Sequence, residues 1–270
     1  PKASISMAVK QLENEVGTRL LHRTTRKVQM TQDGRAFYER SRDMLADMEE
    51  LQTMFQGGEA ISGRLRVDMS SGIARNIVIP HLPEFLELHP RLDLELSSTD
   101  RRVDLVREGF DCVLRVGSLS DSSLIARPLG RFRQLNCASP AYIARFGMPQ
   151  SLDDLAQHRL INYVSTLGAK PVGFEYFDGT RNQLIAMQGA ITVNNAEAYL
   201  AACVAGLGII QAPESGWRHL LASGALVEVL PQYLAEPMPV SILYANRRHL
   251  PKRAQVFMDW VAELIRPHVI

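Results

Sequence analysis

The sequence predicts an α/β protein in three parts. A basic helical end comes first, then a long heptad-patterned helix, then two lobes in which strands and helices alternate. Three observations carry this. Apolar residues recur at the helical period over 1–16, an a/d seam runs over 31–55, and from Gly63 the period switches between two and that of a helix. With 270 residues and 46% apolar content the chain has ample material for two or three domains.

In the first part Ile5, Val9, Leu12 and Val16 form one apolar stripe. Ala3, Met7, Lys10 and Asn14 centre the opposite face, flanked by Lys2 and Ser6. A helix that packs on one side and presents small, polar and cationic groups on the other suits a DNA major groove about 12 Å wide. An ordinary surface helix would carry the same stripe. Gly17 supplies a left-handed stop. Leu20 to Thr31 then reads as two short apolar pieces around a basic tip, a small hairpin on which Arg23, Arg26 and Lys27 meet phosphates. Residues 1–42 hold nine Lys/Arg against four acids, net +5, whereas the whole chain is +1 and the remainder therefore −4. That asymmetry is the footprint of a nucleic-acid-binding end; a solvated basic face is the alternative.

The string from Ser4 to Arg42 resembles the winged helix-turn-helix of LysR-type transcriptional regulators. It carries the recognition helix, the L-E-x-E-x-G-x-x-L-x-x-R stretch from Leu12, the Arg-rich wing, and T-x-x-G from Thr31. The likeness runs diffusely to the C-terminus. It implies that a first helix and most of a second lie outside this sequence, leaving a partial winged helix-turn-helix over 1–30. It further implies a periplasmic-binding-protein-like sensor and double-stranded operator DNA as partner. A homodimer or homotetramer is expected, with RNA polymerase as a further partner if the protein activates.

Residues 31–57 read as the linker helix. Phe37, Ser41, Met44, Met48, Leu51 and Phe55 make a seam with one polar interruption, and the rest of the surface is charged, which suits an exposed helix pair. In the resembled family this helix dimerises. Gly57-Gly58 and Ser62-Gly63 break it, marking a hinge at 58–62.

Beyond the hinge, Leu65 to Met69, Leu92 to Leu96 and Phe110 to Gly117 read as strands, with helices over Ile73 to Leu88 and Val103 to Glu108 between them. Such a βαβ series implies a parallel sheet. Strands near 160–164, 190–193 and 207–211 build a second unit, with a helix from Ala196 to Ala205 capped by Asn194. A strand at 240–245 and a helix at 252–265 return to the first unit, as the resemblance implies. Lobe I is thus 63–135 with 240–270, and lobe II is 136–239.

Facing α/β lobes place their strand ends at a shared cleft. Candidate ligand residues are Ser70, Ser71, Gly72, Ser98, Thr99, Arg115 and Val116 on one lobe and Asn194 and Asn195 on the other. Hydroxyls, amides, a helix start and Arg115 suit an anionic metabolite as effector. The alternative for each Ser or Asn ahead of a helix is a cap, and for Arg115 one half of a structural ion pair. In the family, the end of the first strand and the opposite helix start line the effector pocket.

The enzyme class finds little support. There is no G-x-S-x-G, H-E-x-x-H or phosphate loop, and the seven His never fall at metal-ligand spacing. Gly206-Leu-Gly208 starts like a dinucleotide loop but leads into a strand. No catalytic residue, metal or cofactor is therefore expected. Cys112, Cys137 and Cys203 are far apart in apolar settings, as buried reduced thiols are. No stretch is apolar enough to span a membrane and no signal peptide opens the chain, so a cytoplasmic protein without a membrane partner is expected. An exported solute-binding protein shares the two-lobed architecture, but the basic helix and heptad seam speak against it.

Overall fold

The computed structural model describes residues 2–23, 28–54, 61–119, 124–189, 191–245 and 250–270. The chain divides into two compact units, Pro1–Arg64 and Leu65–Ile270.

In the first unit, helix α1 (Lys2–Val16) ends at Gly17, whose φ of +76° is the left-handed cap expected there, with its N–H donating to Glu13 O at 3.0 Å. The expected apolar stripe is covered mainly in its middle: Val9 and Leu12 are half-buried, while Ile5 and Val16 are exposed. Strands β1 (Leu21–Arg23) and β2 (Val28–Met30) pair antiparallel as the predicted hairpin; its tip, with Arg26 and Lys27, lies outside the described residues.

Two residues of the motif explain how the hairpin is fixed. The Glu13 carboxylate accepts from Leu20 and Leu21 N–H at 2.8 and 3.0 Å, satisfying backbone that leaves the helix before the strand begins. Thr31 Oγ1 donates to Arg19 O at 2.7 Å and accepts from Gly34 N–H at 2.8 Å, capping helix α2 (Gln32–Met54). On α2, Tyr38, Met44, Leu45 and Met48 are exposed; Phe55 of the predicted seam lies outside the described residues.

The second unit opens with β3 (Gly63–Met69), whose Leu65, Val67 and Met69 are all buried. A single helical stretch follows in four pieces: α3 (Ser71–Ile73), a π-turn (Ala74–Val78), a 3₁₀ turn (Ile79–His81) and α4 (Leu82–Leu88). Pro80 and Pro83 each lack a backbone donor, which fits irregular winding here. Strand β4 (Leu92–Ser98), the one-turn α5 (Leu105–Glu108) and β5 (Cys112–Val116) complete the predicted series.

Next come β6 (Leu124–Phe132), β7 (Gln134–Ala138), α6 (Pro140–Phe146), β8 (Asn162–Tyr163) and the hairpin β9 (Phe174–Phe177) with β10 (Asn182–Ile185). Strand β11 (Thr192–Val193), α7 (Ala196–Val204), β12 (Ile210–Pro213), α8 (Arg218–Ala222) and β13 (Val227–Glu228) follow, then β14 (Met238–Ala245) and α9 (Lys252–Ile265).

Lobe I is a five-stranded sheet in the order β4-β3-β5-β14-β6. The expected parallel sheet holds for β3 with β5, but β14 runs antiparallel to both β5 and β6, so the sheet is mixed. The cause is the returning strand, which enters from the far lobe in the opposite sense. Helix α9 packs on α4 through Phe85, stacked on Trp260 at 4.4 Å and edge-on to Phe257 at 5.7 Å. Lobe II holds the antiparallel sheet β12-β7-β13, while β8 and β11 pair in parallel. The chain crosses between lobes at Arg133, between β6 and β7, and again shortly before β14. No described helix is long and apolar enough to cross a membrane. All three cysteines are buried, and burial pushes the Cys137 and Cys203 thiols up to about 12.

Candidate functional site

The strand ends of the two lobes enclose a cavity of about 310 Å³. Of the residues singled out in the sequence, Ser70, Gly72, Thr99, Arg115 and Val116 line it. Ser71, Ser98, Asn194 and Asn195 are not among the described lining residues, and each has a position that explains this. Ser71 heads α3, where its N–H and Oγ donate to the two oxygens of Asp100 at 3.1 and 2.8 Å. Ser98 is exposed, because strand alternation turns Ser97 and Thr99 inward instead.

The cap of α7 is Asn195, one residue later than expected. Its backbone is extended and its side chain accepts from Ala198 N–H at 2.9 Å, leaving Asn194 outside the helix and exposed.

Asp68 organises the lobe I wall. It is fully buried on β3 and accepts Ser97 Oγ at 2.6 Å, Thr99 Oγ1 at 3.0 Å and Arg115 Nη2 at 2.5 Å. A buried carboxylate needs such a set of donors, and in supplying it Thr99 and Arg115 are committed to the wall. Asp100 does the same across the cleft. Besides Ser71, it accepts Ala196 N–H at 2.7 Å, placing a carboxylate at the electropositive start of α7. Arg75 with Glu197 at 2.5 Å, and Asn76 Nδ2 donating to Gly216 O at 3.2 Å, also join the lobes.

These interactions engage the groups on which an anionic ligand would rely. Asp100 and Asn195 satisfy the α7 start, and Asp68 neutralises Arg115.

The lobe II wall comes from residues outside the sequence-predicted set. Gln211 of β12 accepts Glu175 N–H at 2.7 Å and donates to Glu175 O at 2.7 Å and Asn136 Oδ1 at 2.8 Å, fixing β9 against the wall. Tyr199 accepts Gln211 N–H at 3.0 Å and packs edge-on to Tyr163, ring centres 5.5 Å apart. Phe132 and Trp217 complete an aromatic lining. Burial, with Asp100 adding to it, pushes the Tyr163 hydroxyl up to about 12, and burial alone raises the Glu175 carboxyl above its ordinary value. A signal for Glu175 is present in the sequence: an acid between Phe174 and Tyr176 in a period-two stretch faces away from the core that its neighbours enter.

At the other end of the chain, Ser6, Met7 and Lys10 are exposed on one face of α1. Lys2 and Ala3 belong to the same helix, and Arg23 ends β1.

Two family profiles match this arrangement. The bacterial regulatory helix-turn-helix protein, lysR family, matches residues 1–35, and the LysR substrate binding domain matches 58–266. The chain belongs to the LysR-type transcriptional regulators. It is 47% identical over 270 residues to the uncharacterized HTH-type transcriptional regulator YhjC of Escherichia coli K12, covering 100% of this chain and 90% of that protein. It is 37% identical to an HTH-type transcriptional repressor of Pseudomonas aeruginosa, covering 98% and 84%. Among solved structures, the LysR-type regulator CrgA of Neisseria meningitidis superposes with a TM-score of 0.68 at 28% identity, over 97% of this chain and 89% of CrgA. The regulator thus has a DNA-binding helix-turn-helix and an effector-binding domain, and it belongs to a family of regulators, not of enzymes.

Proposed function

We propose that this regulator binds double-stranded operator DNA as a dimer and senses a small metabolite in the interlobe cavity. The observation that carries the sensing half is the cavity itself, walled by both lobes and bridged by Asp100 on the α7 start. A molecule seated there touches both lobes at once, so its binding favours one lobe arrangement over another, and a ligand shifts an equilibrium by its differential affinity for the two states. Ser70, Gly72, Thr99 and Val116 are its contacts on lobe I.

For DNA, Lys2, Ala3, Ser6, Met7 and Lys10 on α1 read the groove, and Arg23, Arg26 and Lys27 hold phosphates from the hairpin. For the dimer, Met44 and Met48 are 69% and 57% exposed on a helix whose other faces are charged, an apolar seam suited to a second copy of α2.

Sedimentation of the full chain tests the dimer. A thermal-shift panel of metabolites tests the cavity, with Ser70→Trp as the blocked control. Stabilisation of wild type that is lost in S70W supports the cavity; equal stabilisation of both places the ligand elsewhere.

A further inference from the structure

Among the described lining residues three side chains carry formal charge: Arg115, Asp100 and Glu175. Arg115 already has a buried counterion in Asp68. Asp100 accepts three hydrogen bonds and lies on the start of α7. Glu175 differs from both: its backbone is pinned by Gln211, but its carboxylate meets no donor and no cation among the described residues. Strand alternation sets its direction, because fully buried Phe174 and half-buried Tyr176 enter the lobe II core on the opposite face of β9. Tyr163, 39% exposed, borders the same space, backed by the largely buried rings of Phe132, Tyr199 and Trp217.

An uncompensated carboxylate beside aromatic rings is poor chemistry for an anion, which would meet two acids and, among the described lining residues, no cation without a counterion. It suits an organic ammonium, which gains a charge-assisted hydrogen bond from the acid and attraction to the ring faces. We propose that the effector is a small organic ammonium ion, its N–H groups donating to the Glu175 carboxylate and its apolar body packed on the aromatic wall. This rests on the cavity being the effector site.

Calorimetric titration of the full chain with matched probes tests it: benzylammonium against phenylacetate, and butylammonium against pentanoate. The ammonium of each pair is expected to bind at least about tenfold tighter, and Glu175→Gln to remove about tenfold of that affinity, as the loss of a charge-assisted bond does. Ser70→Trp is expected to abolish binding, with thermal melting confirming that both variants fold. Carboxylates that bind as well as their ammonium partners and are lost in S70W would overturn the ammonium assignment while sparing the cavity. Ammonium binding that persists in S70W would overturn both. Ammonium binding untouched by E175Q, or no ammonium binding at all, would also overturn the proposal.

Discussion

At Gly34 a Cβ would lie 1.9 Å from the carbonyl oxygen of Leu20, closer than any van der Waals contact, and the obstacle is backbone that cannot swing aside. The T-x-x-G spacing is thereby explained: Thr31 caps the helix, and Gly34 lets the chain before the hairpin press against its first turn. Gly34→Ala should destabilise the first unit by more than the roughly 1–3 kcal/mol typical of an overpacked core. Hydrogen exchange in residues 18–34 should accelerate, with the 65–270 unit unaffected.

Glu175 makes the opposite prediction. Its carboxyl is raised by burial, so the ionised form costs stability that the protonated form does not. The wild type and Glu175→Gln should melt alike at pH values below the ordinary carboxylate range. The variant should melt higher at neutral pH, the gap opening as pH rises through the elevated Glu175 range. Melting curves across pH check the sign; a variant less stable than wild type at pH 7 contradicts it.

Among elements, α2 bears the clearest test. Met44→Glu with Met48→Glu would place carboxylates across the proposed seam, where an unpaired buried charge is far costlier than on an open surface. Light scattering should show loss of the dimer, while the melting transition of the 65–270 unit stays in place. An unchanged mass would place the seam elsewhere.

The same scale separates what is legible in the sequence from what is not. Elements with a clear apolar signature are legible: β3, β4 and α9 carry apolar residues at their own period, β5 and β14 are near-continuous apolar runs, and α7 is an apolar stretch behind a pair of Asn residues. Strand β6 is not, because Arg127, Pro128, Gly130 and Arg131 break its pattern, nor is the 174–185 hairpin, because each of its strands is only four residues long and Asn182-Gln183 followed by Leu184-Ile185 does not alternate. Of the cavity, the lobe I rim is readable from strand ends. Its chemistry is not, because the pairing of Arg115 with Asp68 and of Asp100 with Ala196 depends on residues 47 and 96 positions apart.

For the whole molecule, affinity for DNA and response to ligand should separate. Replacing Arg23, Arg26 and Lys27 by Ala should weaken binding to operator and random duplexes alike and flatten the salt dependence, by roughly 0.9 in log–log slope for each phosphate left unneutralised. Ligand response by the remaining complex should survive. Anisotropy titrations at several salt concentrations decide this, and an unchanged slope would remove the hairpin from the interface.

The place of β14 bears on how the protein is made. That strand lies between β5 and β6 and pairs with both, yet it begins only at Met238, after all of lobe II. On the ribosome, lobe II is contiguous and can close as soon as it emerges, whereas β5 and β6 wait with open edges for a strand made only after lobe II. A nonsense codon after residue 237 would therefore not yield a protein that keeps DNA binding and merely loses regulation. It would yield a chain in which β5 has an open edge and β6 has no partner, a substrate for proteases, so β14 makes the closure of lobe I depend on translation having passed lobe II.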